Sequence, residues 1–496
     1  MLGKSAVTRA GLLDALAAAA AVVLLAVSGG AGAITRPAAS STSRQTSQPG
    51  SALESFPTTP EAGCNYTISE RGASLVAVGG DGTVKRSTDN PNAAAFVNSM
   101  LASHEKICVS PGVYTLESEI QISRLQGVTL SLGAGTVMNG SSDYRLLLVF
   151  GSPGTVIDGG VWIGQGSGVG AGIRVLYGSN NTVVENTDVS RAGYDGIFDY
   201  EYLAPSFNVS IIDNRLHDNG RYGIQVFAKS PGPTTDTLVS GNVVLDNGVG
   251  GIYTNGVAGV TVSDNIVRNT VGNGPGDIGI GVTNASYDSV TRNQVDHMAW
   301  FGIQAFFNNH TTISDNISTS NQGAFDQSGI TNDHSSFSTI TGNVVESNGK
   351  FGIYVERSWN VTVEGNLASD NLEYGIGFYH GSIPVMGEGT IADNTCGSNS
   401  LGGIVLNSAV NNSISMNRCA DNGGDGILLY NDPGQAGCTG NVVSDNWLGN
   451  DAGSQAQRYG IVEANEANRN VLVANALVNN TVAAVTVVGP NTTFSP

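Results

Sequence analysis

Six side chains suited to proton-transfer chemistry fall at equivalent points of three consecutive repeats: Asp333-His334, Glu356-Arg357 and Tyr379-His380. Each pair stands four and five residues after a Gly-Ile dipeptide, at Gly329, Gly352 and Gly375, which are 23 residues apart. If equivalent residues of neighbouring repeats stack about 4.8 Å apart, all six lie within about 10 Å along the stacking axis. Removing the proton next to the carboxylate of a uronate needs a base, and Tyr379, His334 or His380 can serve. It also needs a cation to neutralise the carboxylate and the developing enolate, which fits Arg357. Loss of the 4-substituent makes the reaction an elimination, and return of the proton to the opposite face makes it an epimerisation. A hydrolase would instead use Asp333 and Glu356 as paired carboxylates, one with a raised pKa. The alternative without chemistry is a surface ion-pair patch in which Arg357 satisfies Asp333 or Glu356.

These residues must be positioned by the repeat itself. Twelve Gly-Ile pairs run from Gly172 to Gly460, and four of the gaps between them equal 23 residues. A fixed period that tolerates insertions is the signature of a solenoid. Short runs such as Ile353-Tyr354-Val355-Glu356 and Val361-Thr362-Val363-Glu364 alternate apolar and polar residues, the period of a half-buried strand. No helical stripe recurs. Two or three strands per 23 residues predict an all-β chain, a single-stranded right-handed parallel β-helix solenoid. The Ile after each Gly should form a continuous interior ladder. A second mark, an Asn about fourteen residues after the Gly, recurs in each repeat (Asn186, Asn316, Asn366 and Asn441 among them) and should turn a corner.

With Ile at +1 pointing inward, the residue at +3 should also face in and those at +2 and +4 out. The +4 column includes Tyr200, Phe227, Asn255, Phe306, Asn407 and Tyr430 besides the cluster above. An outward stripe of aromatics, amides and carboxylates suits sugar rings and hydroxyls, and these six are the candidate substrate-binding residues. The competing expectation is that loops from the longer repeats cover the stripe.

Residues 1–33 read as a signal peptide or an N-terminal membrane anchor: Lys4 and Arg9 precede an apolar run that ends near Ala31-Gly32-Ala33. Residues 34–60 read as a disordered Ser/Thr/Pro-rich linker. Residues 61–171 should hold the N-terminal cap, with a short cap helix over 92–104, and the first coils. The repeats follow over 172–488, then a tail over 489–496. An exported chain placed outside the cell or on its surface follows, with several Asn-x-Ser/Thr sequons open to glycosylation. Cys64 and Cys108 can staple the cap; Cys396 and Cys419 should stack on adjacent coils, bridged or as free thiols. No Cys/His spacing suggests zinc, and no Met/His/Cys cluster of the kind copper ligation uses is evident. The net charge of −19 excludes nucleic acid as a partner. A polysaccharide is the expected partner, neutral or acidic, and a membrane only through an uncleaved N-terminal segment. No cofactor is required, calcium is compatible with an acidic polymer, the metal ligands are unknown, and a monomer is expected.

The run Cys108-Val109-Ser110-Pro111-Gly112-Val113-Tyr114 after a helix resembles the opening of pectate-lyase-like β-helix enzymes. Tyr194-Asp195-Gly196-Ile197-Phe198-Asp199-Tyr200-Glu201, followed one repeat later by His217-Asp218-Asn219-Gly220, resembles the alginate C5-epimerases. Their catalytic coil reads Tyr-Gly-Phe-Asp-Pro-His. The resemblance implies a second candidate site at Asp199, Tyr200 and Glu201. Here the Pro is absent and Tyr200 or Glu201 stands where that family has its His.

Overall fold

The computed structural model describes residues 63–495, apart from 142–143, 169, 202–203, 229–234, 270–276, 323–326, 380–386, 433–434, 436, 452–456 and 488. The expected signal or anchor (1–33) and linker (34–60) lie outside the described residues. The chain is a right-handed parallel β-solenoid. One uninterrupted coil shows the plan: strand Ile353–Glu356, a corner, strand Thr362–Glu364, a second corner, strand Leu367–Ser369, and a third corner back to Gly375. The first strand of every coil enters a 15-stranded sheet, and the other two enter a 32-stranded sheet that bends at the second corner. They are called here the single-strand face and the two-strand face.

The predicted interior ladder exists in full register. Ile173 pairs with Ile197, then Ile224, Ile252 and Ile280, and the series continues through Ile353 and Ile376 to Ile461. Each of these side chains has no exposed surface. Each contributes roughly 1.5–3 kcal/mol of burial, and every coil adds one more rung to the same column.

The corners explain the Asn code, with one correction. Asn214, Asn242, Asn265, Asn293, Asn316, Asn343 and Asn366 form one buried amide ladder. In it Asn343 Nδ2 donates to Asn366 Oδ1 at 2.9 Å and to the Ile313 carbonyl at 3.0 Å. The first rung is Thr187 rather than Asn186, because Thr187 Oγ1 meets Asn214 Oδ1 at 2.7 Å. Near the other end the rung is Asn446, bonded to Asn417 at 2.9 Å, whereas Asn441 belongs to a different ladder with Asn412 and Asn470. Insertions in the preceding corner shift the count from the Gly, which is why a fixed offset misplaces these two. A further ladder, Asn321-Asn348-Asn371-Asn399-Asn422, occupies the third corner.

At the N-terminus an antiparallel meander, Tyr66–Arg71, Ser74–Gly79 and Val84–Thr88, pairs along one edge with the coil strand Lys106–Val109. The sequence reading had not anticipated it. The helix spans only Ala93–Asn98, shorter than residues 92–104, with the Asn92 side chain accepting from the Ala95 amide. Its Ala93, Ala94, Phe96 and Val97 join the apolar core. Cys64 and Cys108 form a disulfide, and Cys396 and Cys419 are register partners with free, buried thiols. Strand Thr493–Ser495 pairs with Val471–Val473, so regular pairing continues into the segment read as a tail.

Candidate functional site

The +4 column is one ladder on the outside of the single-strand face. Tyr200 pairs with Phe227, then come Asn255, Thr283, Phe306, Asp333, Glu356, Tyr379, Asn407 and Tyr430. The alternation dictated by the pleat puts Val355 inside and Tyr354 and Glu356 outside. The inserted segments 229–234, 270–276, 323–326 and 380–386, which the covered-stripe expectation invoked, lie outside the described residues.

In this column and at the corner position beside it the structure brings together five of the six residues singled out first. Arg357 Nε meets Asp333 Oδ1 at 3.1 Å and Nη2 meets Oδ2 at 2.8 Å, a two-pronged bond across adjacent coils. Nη2 also reaches Glu356 at 3.2 Å. Among the described residues, Nη1 has no hydrogen-bond partner. Burial, and then the Asp333 carboxylate, raise Glu356 above the usual carboxylate range. Burial and the neighbouring Tyr430 hydroxyl push Tyr379 far above an ordinary phenol, so it stays protonated. His334 Nδ1 lies 2.9 Å from Asp333 Oδ1 but is not aligned for a hydrogen bond. His380 lies outside the described residues.

Tyr379 sits in an aromatic box that the sequence reading missed, with ring centroids of Phe351 at 5.4 Å and Tyr354 at 5.3 Å. Aromatics at −1 and +2 of the same repeats were the available signal. Beyond it, Asn407 Nδ2 donates to the Tyr430 hydroxyl at 2.8 Å and to Asp432 at 2.8 Å.

The second candidate is divided by the pleat. Asp199 is fully buried in the interior column between Val175 and Val226. Tyr200 is on the outer face, 5.8 Å from the Phe227 ring. Glu201 ends the strand Ile197–Glu201. Arg174, not singled out from the sequence, lies over Phe198 at 5.1 Å and Tyr200 at 5.2 Å. Beside it Asp195, fully buried, accepts from the Tyr222 amide at 3.1 Å, and burial raises its pKa to about 8.

A cleft of about 450 Å³ opens beside the face, at the first corner. Its lining includes Asn284, Ser286, Phe307, Asn309, His334 and Ser336.

A family profile described as "Right handed beta helix region" matches residues 142–267 and 234–385, and one described as "Periplasmic copper-binding protein (NosD)" matches residues 319–495. No curated protein matches. The chain is also similar, at low identity, to several solved structures. The A-module of mannuronan C-5 epimerase AlgE4 from Azotobacter vinelandii is 14% identical, over 82% of this chain and 94% of that one, with TM-score 0.31. The Dettilon tailspike protein is 13% identical over 79% of this chain, which spans 64% of that protein, with TM-score 0.39. Alginate lyase AlyF-OU02 is 10% identical over 80% and 86%, with TM-score 0.41.

The described residues of the stretch 319–495 form no grouping suited to copper. Among the described residues no three His, Cys, Asp or Glu side chains are grouped to hold a metal. Cys396, Cys419 and Cys438 are buried, and burial raises the thiols of Cys419 and Cys438, the latter to about 12, against the thiolate a soft metal needs.

Proposed function

We propose that the single-strand face acts on polysaccharide, and that its chemistry is proton transfer on a polyuronate, as C5 epimerisation or elimination. One observation carries the reading. Asp333 fixes Arg357 through two of its nitrogens and leaves Nη1 for an incoming carboxylate, next to Glu356, whose proton affinity is raised. In this scheme Arg357 binds the uronate carboxylate and stabilises the enolate. Glu356, once ionised, takes the C5 proton, and the electron pair moves into the carboxylate. Tyr379, held as a phenol, then supplies a proton. Delivered to the opposite face of C5, that proton gives the epimer. Delivered to the departing C4 oxygen as the C4–O bond breaks, it gives the unsaturated product. The aromatics and amides along the column (Tyr200, Phe227, Asn255, Phe306, Asn407, Tyr430) would hold neighbouring sugars. No cofactor is needed; calcium would serve only to bridge an acidic polymer to an acidic chain. The N-terminal sequence and the periplasmic description of one matching family support an exported protein, in the periplasm or on the surface.

The test uses the full chain with alginate, polymannuronate, polygalacturonate and neutral glycans, with and without calcium. Ultraviolet absorbance reports unsaturated uronates and proton NMR reports C5 inversion. Silence on every uronate sinks the reading. A non-catalytic glycan-binding surface is the second reading, favoured by the fully formed Asp333–Arg357 pair. Retention on a glycan column without turnover would select it.

A further inference from the structure

The first corner between the two faces carries a second set of columns, of which the uronate chemistry uses only Arg357. The coils that start at Gly251, Gly279, Gly302, Gly329 and Gly352 each turn there through two residues with left-handed backbone. Backbone hydrogen bonds fix their alignment: Gly256, Asn284, Phe307, His334 and Arg357 occupy one rung position, and Gly259, Tyr287, His310, Phe337 and Asn360 the other. Gly256 and Gly259 have φ of 73° and 74°, the conformation glycine adopts freely. Asn284 and Asn360 are the next cheapest choices. Yet Phe307, Tyr287 and Phe337 take φ of 53°, 63° and 54°, where a bulky residue costs backbone energy. These aromatics are also 43%, 68% and 46% exposed. The corner imposes this conformation on whatever residue stands there, as at Tyr177, Arg357 and Arg469, but it does not explain why bulky, exposed aromatics fill these rungs.

Their arrangement is ordered. Tyr287, His310 and Phe337 form one stack, with centroids 5.0 and 5.1 Å apart and ring planes within 18° and 12° of parallel. Phe307 and His334 form a second, at 4.4 Å. The cleft runs beside the Phe307–His334 stack, floored by Ser286, Asn309 and Ser336, which are linked rung to rung by parallel bridges, and Tyr287 follows Ser286 directly in the chain. Both columns reach glycine at the Gly256/Gly259 coil, so no side chain from that rung covers the next face of the Tyr287 ring.

The geometry points to a sugar-binding site in this cleft: a pyranose ring takes the open rung over Gly256 and Gly259, extends the Tyr287 stack, and bonds its hydroxyls to Asn284, Ser286 and Asn309. Ring faces beside amides and hydroxyls are the lining such a ligand needs. Among the described residues of the lining the only ionisable side chain is His334, already beside Asp333. Among the described lining residues no guanidinium or ammonium is present to meet a carboxylate, which favours a neutral glycan. The inference goes beyond the uronate reading and stands without it.

The test is affinity electrophoresis of the full chain in gels containing xylan, mannan, barley β-glucan or hydroxyethyl cellulose, with alginate as comparator. Retardation by at least one neutral glycan is expected. Tyr287→Asn removes the ring but keeps a residue at ease in this corner. Gly259→Asn places a side chain over the open face. Each should weaken retardation at least tenfold, leave alginate behaviour unchanged, and leave Tm unchanged or, for Tyr287→Asn, raised. No retardation by any of the four glycans, or equal retardation of the wild type and Gly259→Asn, overturns the inference.

Discussion

At the scale of the residue, the Asp333–Arg357–Glu356 group is held by contacts between adjacent coils. Removing one member therefore has two consequences. Arg357→Ala should lower turnover on a polyuronate by about 100-fold or more, the loss typical of a missing charge stabiliser. It should also lower Tm, because Asp333, 7% exposed, loses its two-pronged partner. Assaying well below the variant's Tm separates the two effects, and full activity there rejects the assignment. Buried carboxylates away from the cluster set the pH dependence of stability. Asp195 and Asp288 have pKa values raised by burial to about 8 and about 7. Near pH 5 the folded chain keeps protons there that the unfolded chain, with carboxylates near 3.9, has released. Stability is therefore fullest below about pH 4 for these groups and is lost as pH rises toward 7–8, at up to about 1.4 kcal/mol per pH unit for each proton. Thermal unfolding from pH 5 to pH 8 should show the fall, and Asp195→Asn should flatten it. A Tm that rises steadily across that range would contradict the burial of these carboxyls as neutral groups.

At the scale of the element, each coil is held by its Asn corner as much as by its Ile rung. The Asn366 carboxamide oxygen accepts from both the backbone and side-chain nitrogens of Asn343, each at 2.9 Å, and its own nitrogen donates to the Ile340 carbonyl at 2.9 Å. Asn366→Ala strands these groups in the interior, at about 1–3 kcal/mol for each buried group left unpaired. Urea unfolding should register a loss of about 3 kcal/mol or more, whereas an Asn at an exposed corner such as Asn360 should cost under about 1 kcal/mol. Equal losses at the two sites would deny the ladder its role. The ladder was half legible in the sequence. Its period was plain, but coils with inserted residues in the first corner shifted the count, so Thr187 and Asn446 rather than Asn186 and Asn441 stand on it. The third-corner Asn ladder was equally present in the sequence and went unread because the count followed one Asn per repeat.

At the scale of the whole molecule, a solenoid is a chain of nearest-neighbour contacts, and its weak points are its ends. The N-terminal meander is tied to the first coils by edge pairing and by the Cys64–Cys108 disulfide, which closes a 44-residue separation. Cys64→Ser together with Cys108→Ser should reduce stability by about 2–4 kcal/mol and make residues 63–90 the first to exchange amide hydrogens. Uniform exchange along the solenoid would place the weak end elsewhere. By itself the sequence determined the period, the inward and outward columns, and which residue types share an outer stripe. Each of these follows from one local rule, strand alternation, repeated in register. Only the tertiary structure decided what requires knowing how one coil sits on the next: that Arg357 reaches back to Asp333, that Asp199 is sealed inside while Tyr200 is not, and that two glycines at one corner open a cleft beside stacked rings. Those outcomes depend on distances between residues 23 to 28 positions apart, set by how each corner closes, and corner geometry changes with every inserted residue.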